Sequence, residues 1–141
     1  MPDHLTLEAR SRNMAQVKSR DTKPERLVRS LLHRMGYRFR LHRKELSGCP
    51  DIVLPRHRKV IFVHGCFWHG HPGCRRSGHP STHREFWDKK IDATIARDTR
   101  NLASLEESGW KVLVVWECET RNHDSLFALL SEFMHPSVGK L

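Results

Sequence analysis

The chain has 141 residues, 25 of them Lys or Arg against 16 Asp or Glu, for a formal net charge of +9. That length suits one domain with a modest core, and no apolar run reaches the length a membrane span needs. Positive charge spread along the whole chain favours a polyanionic partner, nucleic acid first, over a merely soluble basic surface. No signal-peptide pattern opens the chain, so the expected compartment is the cytoplasm.

Residues 1–20 scatter Leu5, Leu7, Met14 and Val17 among basic residues, and read as a basic N-terminal arm suited to phosphates. Thr22 and Glu25 then have capping-box spacing around Pro24, predicting a helix start. Leu27, Val28, Leu31, Leu32 and Met35 form its apolar stripe, and Gly36 stops it. Read by itself, Glu25 is first a capping carboxylate. The alternation of Tyr37 to Leu41 predicts an exposed or edge strand. Ser47 to Pro50 is a turn, Asp51 to Leu54 a strand, and Pro55 to Lys59 leads into a buried strand, Val60 to Val63. If those two strands are antiparallel, Asp51 and His64 lie side by side.

Ser81 or Thr82 is expected to cap a long helix, with Glu85 in box position and a bend before Gly109. Within it Asp98 stands between Arg97 and Arg100, where a solvated ion pair is the plain reading. Trp110 to Trp116 reads as another buried strand. Leu126 to Met134 reads as a last amphipathic helix. The order predicts one α/β domain over residues 21–141, with a mixed β-sheet flanked by helices.

The chemistry is concentrated in Val60 to Cys74, V-I-F-V-H-G-C-F-W-H-G-H-P-G-C. Cys66 and Cys74 bracket His69 and His71 at spacings that suit a structural Cys/His zinc site, and either histidine serves equally by spacing. Cys118, at the end of a strand, is the better fourth ligand; Cys49, two residues before Asp51, is its rival. A hard cation such as Mg²⁺ prefers carboxylate oxygen, which Asp51 offers. A histidine left outside the zinc shell, His64 or His69, offers a base, and Asp98 an acid to orient it. Phe67 and Trp68 are large aromatics in a polar loop. They read either as a core edge or as a wedge for unstacking bases.

The motifs R-S-R-N-M at Arg10, R-D-T-K-P-E at Arg20, G-C-P-D at Gly48, F-V-H-G-C-F-W-H-G-H at Phe62, E-F-W at Glu85 and G-W-K-V-L-V-V-W-E-C at Gly109 occur in order. Together they resemble the very short patch repair (Vsr) DNA mismatch endonucleases, from Arg10 to about Leu130. The resemblance implies a restriction-endonuclease-like core. It implies a Mg²⁺-dependent nick on the 5′ side of the mispaired thymine in T:G pairs, which arise when 5-methylcytosine deaminates. By position, Asp51 and the backbone carbonyl of Val63 correspond to the Mg²⁺ ligands, His69 to the general base and Asp98 to its partner. His64 and Glu25 correspond to supporting residues, and Cys66, His71, Cys74 and Cys118 to the Zn²⁺ ligands. Met14, Phe67 and Trp68 correspond to the wedge. The expected partner is double-stranded DNA with a T:G mismatch, bound by a monomer at the bacterial nucleoid alongside other repair proteins. A restriction-type nuclease with another trigger and a non-catalytic zinc-stabilised DNA-binding module are the competing expectations.

Overall fold

A computed structural model of the chain describes residues 21–74 and 82–136. The N-terminal arm, Ser81 and the candidate wedge residue Met14 lie outside the described residues. The first helix, α1, spans Lys23–Arg34. Thr22 caps it, its hydroxyl accepting the Glu25 N–H at 3.3 Å, with Pro24 in the first turn. The expected capping box is only half formed: Glu25 turns back to the N–H of Asp21, at 3.2 Å, and not to Thr22.

Four strands follow, β1 (Arg40–Leu41), β2 (Ile52–Leu54), β3 (Lys59–His64) and β4 (Lys111–Trp116). They lie in that order in one mixed sheet, in which β1–β2 and β2–β3 are antiparallel and β3–β4 parallel. β1 is shorter than the alternation from Tyr37 suggested, because Tyr37 and Phe39 pack on the core while only Arg40 and Leu41 pair with β2. β4 corrects a second expectation. Only Val115 is buried in it, since β4 is an edge of the sheet among the described residues.

Helix α2 spans Arg84–Glu107 as one uninterrupted 24-residue helix. Thr82 does not cap it. The N-cap is His83, in a left-handed conformation with φ 58° and no side-chain cap bond. The last helix, α3, spans His123–Met134 and is capped by Asn122, whose side-chain oxygen accepts the Ser125 N–H at 2.9 Å.

Strand alternation distributes the core to both faces of the sheet. Ile52, Leu54, Ile61 and Val115 meet Val28, Leu31 and Leu32 of α1 and Leu126, Leu130 and Met134 of α3. Val53, Val60 and Phe62 meet Leu105 of α2, with Leu102 beside it. Both faces of the central strands are therefore covered, which is why β2 and β3 read as continuous apolar runs. Each fully buried Leu or Ile contributes on the order of 2 kcal/mol.

The same helical faces carry two acids. Glu25 lies three and seven residues before Val28 and Leu32, and is only 2% exposed. Asp98 lies four and seven residues before Leu102 and Leu105. Each acid occupies an apolar slot just beyond the end of the sheet, and so points toward the same region as Asp51 and His64.

Candidate functional site

Asp51 stands immediately before β2, where its Oδ2 accepts the backbone N–H of Val63 at 2.7 Å. This is the side-by-side placement expected of an antiparallel β2–β3 pair. Burial pushes the Asp51 carboxyl up to about 7; the Val63 N–H opposes the rise, the negative charge and hydrogen bond of Glu25 add to it, and Arg29 opposes it. Two carboxylates crowded in a pocket of low polarity repel, and a bound divalent cation relieves that repulsion. The donor set at Asp51 therefore fits a hard cation.

The loop after β3 winds through tight turns. His69 donates its N–H to Gly65 at 3.1 Å, His71 to Cys66 at 3.0 Å and Cys74 to His71 at 3.3 Å. The turns send the two ambiguous histidines apart. His69 goes to α2, its Nδ1 2.6 Å from Asp98 Oδ2. His71 goes to β4, stacked on Trp116 at 4.2 Å, with Nδ1 3.5 Å from Cys118 Sγ.

Burial alone raises the Asp98 carboxyl, but the hydrogen bond and charge of His69 outweigh it and hold the group below its ordinary value. An ionised carboxylate only accepts, so His69 Nδ1 carries the hydrogen and Nε2 is left as the basic nitrogen. His64 stacks parallel to His69, ring centroids 3.8 Å apart. Burial pushes the His64 imidazole down to about 4, the charge of His69 adds to that, and Asp98 opposes it. A neutral ring thus stacks on His69 without competing for a proton.

Gly70 separates the two histidines and has φ 59°. A Cβ there meets Ile95 Cδ1 at 2.6 Å and Ile91 Cγ2 at 2.9 Å. Gly70→Ala is therefore expected to destabilise the fold by about 1–3 kcal/mol, through backbone strain and overpacking against α2. It should also misplace His69. A thermal melt beside a nicking assay checks this, and an unchanged melting temperature overturns it.

Cys66, His71, Cys74 and Cys118 bring their ligand atoms within 4.8 Å of one another. Burial pushes the Cys66 thiol up to about 12 and raises Cys118 as well. Thiols so placed ionise readily only beside a cation, and the two-sided Cys/His set matches a closed four-ligand centre. Cys49 stands apart from this cluster and lines the other cleft. That cleft, about 440 Å³, holds Asp51, Val63, His64, His69 and Asp98 along its wall.

A family model described as DNA mismatch endonuclease Vsr matches residues 2–76 of the chain. The type II nicking enzyme V.XorIIP of Xanthomonas oryzae pv. oryzae is 53% identical over 137 residues, spanning 97% of this chain and 100% of that protein. The chain belongs to the Vsr DNA mismatch endonuclease family. The Vsr endonuclease of Escherichia coli K12 is 45% identical over 126 residues, covering 89% of this chain and 80% of that enzyme. The type II nicking enzyme V.NmeAIP of Neisseria meningitidis is 45% identical over 122 residues, 86% of each chain.

Of the residues that the Vsr resemblance singled out, the structure joins His64, His69 and Asp98 in one cluster and the four zinc candidates in another. Phe67 and Trp68 are half-buried, edge-on to the buried Trp87 at 5.6 and 6.1 Å. Lys90 stands 5.3 Å over the Trp68 ring. Four residues near the site escaped sequence reasoning: Arg97 and Asn101 line the cleft, and Arg29 and His42 surround Glu25. Arg29 had a signal, its i,i+4 spacing from Glu25 on one helix face. His42 had none, being one basic side chain in a basic stretch.

Proposed function

We propose that the protein is a Mg²⁺-dependent endonuclease that nicks duplex DNA 5′ of the mispaired thymine in T:G mismatches, on a restriction-endonuclease-like core. The observation that carries this is the cleft in which Asp51 and the Asp98-bound His69 share one wall. Asp51 and the carbonyl of Val63 would hold Mg²⁺; a strand residue turns its N–H and C=O to the same side, here the side of Asp51. Held there, the ion would supply positive charge against the phosphate oxygens. His69 Nε2 takes the proton of the attacking water, Asp98 fixes the imidazole and stabilises its charged form, and the neutral His64 ring keeps its plane. Cys66, His71, Cys74 and Cys118 would hold Zn²⁺ as a structural clamp between the loop and β4, which keeps His69 in place. The family membership and the relatives named as nicking enzymes support a nick over a double-strand break.

Incubation of purified protein with T:G and T:A duplexes, with and without Mg²⁺, tests the reading. A single nick on the T:G duplex alone, in Mg²⁺ alone, is expected. A double-strand break on T:A, or binding without cleavage, overturns it.

Phe67 and Trp68 are proposed to enter the base stack, with Met14 completing the wedge. Unstacking takes a few kcal/mol and least at a mispaired step, so an apolar wedge senses the mismatch. The double variant Phe67→Ala, Trp68→Ala is expected to lose roughly tenfold or more of its T:G over T:A preference, at about 1–3 kcal/mol for lost stacking. Gel-shift titrations on both duplexes measure it. Equal losses on the two duplexes would make the rings core residues packed on Trp87.

A further inference from the structure

Asp21, Glu25 and His42 bring potential ligand atoms within 4.8 Å of one another, beside Asp51. They do not make a second cation site, because a cation is already there. Arg29 NH2 bonds Glu25 and lies 2.5 Å from Asp21 Oδ1. Arg29 therefore neutralises Glu25, which is buried and would otherwise be costly.

His42 lies beside both Glu25 and Asp51, which also hydrogen-bond each other, and its Nε2 is 3.2 Å from Arg29 NH2. Its Nε2 is 3.1 Å from Glu25 Oε2 and its Nδ1 is 3.9 Å from Asp51 Oδ1. Its backbone holds it there. The His42 N–H donates to the Asp51 carbonyl at 3.3 Å, extending the β1–β2 ladder by one residue. The residue sits in the left-handed region at φ 50°. Histidine, with Asn and Asp, is among the non-glycine residues that adopt that conformation most readily. Here the turn delivers one ring nitrogen toward each carboxylate. Asp51 is otherwise directed by the Val63 N–H and by its hydrogen bond with Glu25.

We propose that His42, with Arg29 behind it, is a positioning residue that bridges Glu25 and Asp51 and thereby sets how tightly the site takes its divalent cation. The inference rests on the reading of Asp51 as a Mg²⁺ ligand. Groups that orient a ligating side chain without touching the metal typically change affinity or activity by about 10–100-fold when removed.

Two substitutions separate bridging from folding. His42→Asn accepts the left-handed backbone but is too short to reach both carboxylates. His42→Gln has a longer side chain with both a donor and an acceptor. Binding of Mn²⁺ to the full zinc-loaded chain, read from its paramagnetic resonance signal without DNA, gives affinity directly. The Mg²⁺ concentration for half-maximal nicking of a T:G duplex gives the second readout. For His42→Asn both are expected to weaken by roughly tenfold or more, with melting temperature nearly unchanged, and His42→Gln is expected to recover most of the loss. Wild-type Mn²⁺ affinity in His42→Asn overturns the inference, as does a His42→Gln variant no better than His42→Asn. If the wild-type chain fails to nick T:G duplexes, the proposed activity falls, while the Mn²⁺ measurements still decide the role of His42.

Discussion

Replacing His69 with Ala is expected to slow nicking by roughly 10²–10⁴-fold while zinc content, melting temperature and affinity for a T:G duplex stay near wild type. A base acts on the water only in the transition state, so its removal leaves ground-state binding almost untouched. His69 is also only half-buried, and its principal partner is Asp98 at 2.6 Å, outside the cysteine cluster. Replacing His71 with Ala should do the reverse. It removes the imidazole beside Cys118 and the ring stacked on Trp116, so bound zinc and thermal stability fall first and activity follows. Zinc content and melting curves of the two purified variants distinguish them. A His69→Ala protein that loses its metal while His71→Ala keeps it would reverse the two assignments.

Asp51→Asn is expected to abolish nicking, by about 10³-fold or more if the lost ligand carries transition-state charge as metal-held oxygens do. The same variant should be more stable than wild type at pH 8 in Mg²⁺-free buffer. The sign follows from proton linkage. The folded Asp51 carboxyl titrates near 7, above its ordinary 3.8, because of burial first and Glu25 second. Between those values the unfolded chain sheds a proton that the folded chain retains, so stability falls as pH rises through that window. Asn cannot ionise and still offers a carbonyl to the Val63 N–H. The gain at pH 8 is on the order of 2 kcal/mol, or several degrees of melting temperature, and it should vanish near pH 4. Mg²⁺ should raise the melting temperature of wild type and not of the variant. A variant less stable than wild type at pH 8 would show that the Asp51 carboxylate supports the fold and is not held under strain for a cation.

The zinc candidates and the candidate cation-binding acid were legible because their chemistry is written in local spacing. Cys66, His71 and Cys74 share one short loop, and Asp51 follows a turn and opens a strand. Asp98 and Glu25 were harder. Each is an acid in an apolar helical slot, a pattern that an ion pair or a cap explains equally well until the neighbouring element is known. Thr22 did cap α1, yet Glu25 takes the Asp21 N–H in place of that of Thr22 and lies against Arg29 and His42, where a buried carboxylate gains a cation. The left-handed cap at His83 was misjudged because burial of Trp87, Ile91 and Leu105 holds the helix where its end signal is weak.

By itself the sequence determined the elements and the inventory of donors, since helical and strand periodicities and ligand spacings act over a few residues. It also carried the Vsr motifs that pointed to the family. Which histidine faces Asp98 and which faces Cys118 was decided only in three dimensions. Gly70 turns the loop between them, and Asp98, 29 positions beyond His69, and Cys118, 47 positions beyond His71, must fold back to meet them. The link from His42 to Glu25 and Asp51 was likewise tertiary. It depends on α1 packing on the face of the central strands while His42 extends the β1–β2 ladder, and no local pattern encodes a contact between elements that meet only through a shared core.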